Sequence, residues 1–106
     1  MTRSPRFKIT PIANGDLIQF LHPGEPNGVV NDELIDHVDS LDPGNLHLDF
    51  ASVERLGSVG IAKLVRLYKM VRAKHHNLYI FNVKPEVFEV LEVTKLNTLI
   101  GVSQSG

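Results

Sequence analysis

From residue 46 onward the chain alternates short apolar runs with stretches of helical periodicity, and this order constrains the fold more than any other feature. Leu46-His47-Leu48-Asp49-Phe50 alternates apolar and polar residues with the two-residue period of a strand. Ile61, Leu64, Val65, Tyr68 and Val71 then share a stripe at helical spacing. Lys63, Arg66, Lys69 and Ala73 lie opposite, with Met70 among these polar positions and Leu67 at the edge of the stripe. Leu78-Tyr79-Ile80-Phe81-Asn82-Val83 is nearly all apolar, which suits a central strand covered on both faces. Pro85 sits well at the first position of another helix, whose inner face would be Val87, Val90, Leu91 and Thr94. A last short strand is expected near Leu99-Ile100-Gly101-Val102. Strand, helix, strand, helix, strand implies two right-handed crossovers and a parallel core.

The first half supplies an antiparallel edge. Phe7-Lys8-Ile9 and Asp16-Leu17-Ile18-Gln19-Phe20-Leu21 read as strands, and Asn14-Gly15 between them is a turn signal because both residues tolerate positive φ. Residues 1–6 are expected to form a loose tail ahead of a single domain over 7–103. His22 to Val30 carries Pro23, Gly24, Pro26 and Gly28 and reads as a loop. Asn31 can then cap a helix, with Asp32 and Glu33 in its first turn. Leu34, Ile35, Val38 and Leu41 lie on one face of that helix, which Asp42-Pro43-Gly44 ends. The expected fold class is α/β: a mixed, mostly parallel sheet with an N-terminal antiparallel hairpin and three to four helices.

A formal net charge of −1 argues against a general nucleic-acid binder, which needs a basic excess to neutralise phosphates. The absence of cysteine excludes disulfides and thiolate chemistry. No apolar run approaches the ~20 residues of a membrane span. The basic N-terminus has no apolar core behind it, so no signal peptide is expected and a cytoplasmic protein is. His75 and His76 are adjacent and diverge, while His22, His37 and His47 are scattered, so no metal site is expected. No cofactor is implied either: Gly57-x-x-Gly60 is too short for a phosphate-cradling loop and lacks its lysine.

Leu56-Gly57-Ser58-Val59-Gly60 joins the strand ending near Asp49 to the longest helix. Ligand and partner sites in parallel sheets lie beyond the carboxyl ends of strands, where helices begin. Ser58 has two readings there. It is an N-cap, worth ~1 kcal/mol, or a hydroxyl that takes a phosphate and so adds about two negative charges at the positive end of a helix. Lys63, Arg66 and Lys69, with their apolar neighbours Leu67 and Met70, read as a solvated helix face or as a contact for an acidic partner surface.

The run Leu46 to Phe50, followed by Leu56-Gly57-Ser58-Val59-Gly60-Ile61-Ala62-Lys63-Leu64, resembles the core of the STAS family. In that family an apolar strand ending in an acid precedes Asp-Ser-(Ser/Thr)-Gly and an amphipathic helix. Leu78 to Val83, then Pro85-Glu86-Val87, Val90-Leu91 and Leu96, is similar to the family's later strand and helix. The resemblance covers residues 46–102. It implies a non-enzymatic anti-sigma factor antagonist that regulates bacterial transcription by partner switching. Its partners would be an anti-sigma factor serine kinase, which phosphorylates Ser58 with its own Mg-ATP, and a PP2C-type phosphatase that resets it. Gly57, Ser58, Val59, Gly60, Lys63, Arg66, Leu67, Met70 and Asp49 would form the partner surface, with Asp49 a nearby negative group. Gly57 stands where the family has aspartate and Val59 where it has a second hydroxyl. These two departures favour an alternative, an unphosphorylated scaffold or accessory subunit of a signalling or transport assembly. Lys95 stands where the family often has glycine, so the chain is expected to leave its last helix differently.

Overall fold

The computed structural model describes residues 7–20, 32–40 and 44–104. The expected tail 1–6, the loop His22–Val30, the cap Asn31, and Leu21, Leu41, Asp42 and Pro43 lie outside the described residues. The elements run β1 (Phe7–Ile12), β2 (Gly15–Phe20), α1 (Asp32–Ser40), β3 (Asn45–Asp49), α2 (Ser58–Ala73), β4 (Leu78–Val83), α3 (Pro85–Val93), a 3-10 turn (Leu96–Thr98) and β5 (Gly101–Gln104).

The five strands form one sheet in sequential order, β1-β2-β3-β4-β5. β1 and β2 are antiparallel, and every later pair is parallel. The expected hairpin is therefore present, but its turn is Ala13-Asn14 rather than Asn14-Gly15, because Gly15 pairs with Ile12 inside the ladder. A strictly sequential order means that each parallel crossover moves along the sheet in the same direction. Crossovers of uniform hand then place their helices on one face.

The burial pattern follows from this one-sided covering. Ile18 and Phe20 of β2, Leu46 and Leu48 of β3, and Leu78 and Ile80 of β4 are buried against Leu34, Ile35 and Val38 of α1, Leu64, Leu67 and Val71 of α2, and Val87 and Leu91 of α3. Phe20 and Phe50 meet edge to face at 5.7 Å, the arrangement that ring quadrupoles favour. No polar residue is buried as a whole among the described residues; the His37 Nε2 of α1 is the exception at the level of single atoms, buried without a hydrogen bond and 3.6 Å from Asp16 Oδ2, and the rest of this core contributes apolar burial. The alternate strand residues form the other face, where the row Thr10, Leu17, His47, Tyr79, Gly101 follows the strand register. Tyr79 is 37% exposed there. The expectation that β4 is covered on both faces is thus corrected: it has one helix-covered face.

α3 begins with Pro85 at its first position, as expected from a residue whose missing N–H costs a helix start nothing. Its buried positions are Val87 and Leu91, while Thr94 is exposed, its hydroxyl donating back to the Val90 carbonyl at 2.8 Å. Lys95 does not change the helix exit. It adopts φ 63° and ψ 18°, the left-handed conformation that glycine would take, and its N–H donates to the Glu92 carbonyl at 3.0 Å. A side chain in that region is strained by about 1 kcal/mol relative to glycine. Lys95→Gly is therefore expected to raise the unfolding free energy by roughly 0.5–1 kcal/mol, net of the entropy glycine adds to the unfolded chain; urea denaturation reads this directly. His75 does the same at the end of α2, with φ 65°. Its N–H donates to the Arg72 carbonyl at 2.9 Å and that of His76 to the Val71 carbonyl at 3.1 Å, the paired bonds of a Schellman ending.

Candidate functional site

Between β3 and α2 the chain makes a turn at Ala51-Ser52 and then runs irregularly to Gly57. Its course is pinned from several sides. Val53 and Leu56 insert into the core. The Val53 N–H donates to the Phe50 carbonyl at 2.9 Å, and the Ser52 hydroxyl donates to the Phe20 carbonyl of β2. Lys84 and Glu54 approach to 3.9 Å at the surface, a contact worth little in exposed water.

This course delivers Gly57 as the N-cap of α2, with φ −86° and ψ 176° and no side-chain cap bond. Its carbonyl accepts the first helical bond, from Ile61 N–H at 2.9 Å. The N-cap reading of Ser58 is therefore corrected. Ser58 is the first helical residue, exposed, and its hydroxyl has no hydrogen-bond partner among the described residues. A hydroxyl at that position stands beside the N–H groups that a helix start leaves without intrahelical acceptors. Of the cations of α2, Lys63 and Arg66 stand nearest that positive end, and the helix carries no acidic residue.

Ser58, Val59, Ala62, Lys63 and Arg66 together line one shallow, open depression. Val59 is 48% exposed, a bare apolar side chain next to the serine. Ala62 was not among the expected residues, although one helical turn beyond Ser58 leads straight to it. Gly60 and Leu67 are buried and do not reach this surface. Leu67 in particular belongs to the core rather than to the partner face expected for it. Met70 is partly buried against the same core.

Asp49 is not brought to Ser58. It lines a separate depression with Lys8, Gln19, Phe20, Ala51 and Ser52. Its carboxylate accepts from Ala51 N–H at 2.9 Å, Asn82 Nδ2 at 3.2 Å and Gln19 Nε2 at 3.5 Å. Asp49 thus ties β2, β3 and β4 together where the loop to α2 departs, and it shapes that loop instead of serving as a free charge. Asn82, with φ 58°, was missed. The signal was present: an asparagine in an otherwise apolar strand marks a place where the backbone departs from regular pairing, and the β4–β5 register shifts between Ile80 and Val83.

Among the described residues no helix is long and apolar enough to cross a membrane, and no three His, Cys, Asp or Glu side chains are grouped to hold a metal ion. Comparison with known proteins gives a family and a fold. The family model for the STAS domain matches residues 27–105. No curated protein sequence matches the chain significantly. The crystal structure of a Thermotoga maritima protein assigned as an anti-sigma factor antagonist superimposes with a TM-score of 0.66 at 17% identity, over 92% of this chain and 86% of that one. An NMR structure of that same protein gives 0.73 at 15% identity, over 99% and 86%. An anti-sigma-factor antagonist (STAS) domain protein from Planctomyces limnophilus gives 0.68 at 22% identity, over 94% and 91%. At these identities the likeness is one of fold.

Proposed function

Since the chain belongs to the STAS domain family, we propose that it is an anti-sigma factor antagonist: it binds a kinase-type anti-sigma factor in the cytoplasm, frees the sigma factor, and is released when Ser58 is phosphorylated. The observation that carries this reading is the Ser58 hydroxyl, exposed at the first position of α2 without a partner among the described residues. Val59 and Ala62 beside it supply an apolar contact, with Lys63 and Arg66 along one side of the same depression, which suits a partner surface carrying carboxylates.

The switch has a simple electrostatic basis. A phosphate on Ser58 adds about two negative charges at the positive end of α2, where the domain itself accommodates them. A partner pressed against that spot must desolvate those charges and does not gain the helix's compensation. In this scheme the chain is the substrate of the kinase, and a phosphatase restores it.

The test is incubation of the chain with a kinase-type anti-sigma factor and Mg-ATP, followed by intact-mass measurement. The expected result is a mass gain of one phosphate that is absent from Ser58→Ala. No gain, or a gain that persists in Ser58→Ala, overturns the proposal. A second expectation separates the two effects of charge. Ser58→Asp should stabilise the isolated domain by about 0.3–1 kcal/mol through the helix dipole while weakening its complex with the partner; thermal unfolding and a binding titration measure the two changes. Gly57 and Val59, which replace the family's aspartate and second hydroxyl, favour a second reading as an unphosphorylated scaffold. That reading predicts a stable complex insensitive to ATP.

A further inference from the structure

The outer surface of the helix layer is divided by charge. α2 and α3 each follow one parallel strand and lead to the next in a sheet of sequential order, so they lie side by side on the helix-covered face and point the same way. α2 turns Gly60, Leu64, Leu67 and Val71 to the core and carries Lys63, Arg66, Lys69 and Arg72 without an acid. α3 turns Val87 and Leu91 to the core and carries Glu86, Glu89 and Glu92 without a base. Arg66, Lys69 and Arg72 on one helix, and all three glutamates on the other, are exposed and have no ion-pair partner among the described residues.

Both stripes repeat every three residues. Like charges at that spacing are neighbours on a helix surface and weaken it. Glu92 also stands in the last turn of α3, where the macrodipole favours a cation and the helix supplies none. Beside the acidic stripe, one turn beyond Glu89, Val93 is 75% exposed and gives that face an apolar contact.

The complement of this face lies on the same molecule. A two-fold axis between α2 and α3, normal to the helix layer, lays α2 of one copy antiparallel on α3 of the other, twice over. Because both stripes advance by three residues, antiparallel pairing brings Arg72, Lys69 and Arg66 to the heights of Glu86, Glu89 and Glu92 in turn, with Lys69 and Glu89 at the centre. The dipoles of the facing helices are then opposed as well. Such a contact is self-complementary and closes at two copies.

We propose that this chain forms a weak, salt-sensitive homodimer through the basic face of α2 and the acidic face of α3. The patch is two helices wide and, along the nine residues of α3, about 13 Å long, at the small end of specific interfaces. Arg66 also borders the serine depression, so a second copy and a partner at Ser58 compete for α2. The dimer does not depend on Ser58 being phosphorylated.

The test is sedimentation equilibrium of the full chain at ionic strengths of about 20 mM and about 500 mM, between which the screening length falls from roughly 20 Å to roughly 4 Å. At low salt a monomer–dimer equilibrium is expected with a dissociation constant of about 0.1 mM or tighter, weakening about tenfold or more at high salt. Lys69→Glu and Glu89→Lys, both at exposed positions, should each weaken the dimer about tenfold or more. The double variant keeps the native formal charge of −1 and should restore the dimer to within about threefold of native, because the reversed charges face each other again. A monomer at about 1 mM chain in low salt, association indifferent to both reversals, a double variant as weak as the single ones, or association continuing beyond two copies would each overturn the proposal.

Discussion

Gly15→Ala is expected to destabilise the domain by about 3 kcal/mol or to prevent its folding, the cost of forcing an extra methyl group into packed backbone. A Cβ on residue 15 would stand 1.7 Å from the Asn45 carbonyl oxygen and 2.7 Å from the Asn45 nitrogen. Neither atom belongs to a flexible side chain that could rotate away. Both belong to the first residue of β3, which pairs with Gly15 in the parallel ladder and whose N–H donates to the Asn14 carbonyl at 2.9 Å. Relief requires β2 and β3 to separate at that end, which breaks the Asn14–Asn45 bond and disturbs the pairing of Asp16 with Leu46. Denaturation in urea, compared with the conservative control Asn14→Ala, measures the loss. The control should be mild, because the turn uses no positive φ at residue 14.

The second large effect is expected at Leu67. Its exposure is 0% and it belongs to the core with Leu64 and Val71, so Leu67→Ala removes buried methyl groups and leaves a cavity, at a cost of about 2–5 kcal/mol. In a domain of this size each kcal/mol lowers the melting temperature by roughly 4–8 °C. The outcome discriminates sharply. A Leu67 on a solvent-facing partner surface would change stability by about 0.5 kcal/mol or less and would act on binding instead. Thermal unfolding of Leu67→Ala beside Lys69→Ala, which is exposed on the same helix, supplies the comparison.

These two residues also show where sequence reasoning ends. The order of strands and helices, the N-terminal hairpin, the proline start of α3 and the placement of Ser58 at a helix start were all legible, because each rests on periodicity or on local turn chemistry. Gly15 reads in the sequence as a turn residue, whereas it is the first residue of β2. What requires a glycine there is the carbonyl of Asn45, thirty positions along the chain, and no local pattern reports a contact of that range. Leu67 was ambiguous for a different reason. Apolar side chains at Ile61, Leu64, Val65, Leu67, Tyr68, Met70 and Val71 wrap more than half of α2, so several stripes satisfy the helical period. The choice among them is made by packing, since α2 meets both α1 and the sheet.

The helix endings follow the same division. Glycine announces a left-handed exit, but His75 and Lys95 adopt it without glycine. Their backbone bonds to the preceding turn and the burial of Leu78 and Leu96 just beyond fix the chain's path. The sequential strand order likewise has no reversal, and hence no crevice of the kind that forms where neighbouring crossovers diverge. The serine site is accordingly a surface and not a cleft, which accords with recognition by another protein.

The most direct measurement is a calorimetric titration of a kinase-type anti-sigma factor with two forms of the chain, unmodified and carrying phosphate on Ser58. Partner switching at this residue predicts that the unmodified form binds and that the phosphorylated form binds at least about 100-fold more weakly, a difference of roughly 2.7 kcal/mol. Equal affinity of the two forms would contradict it.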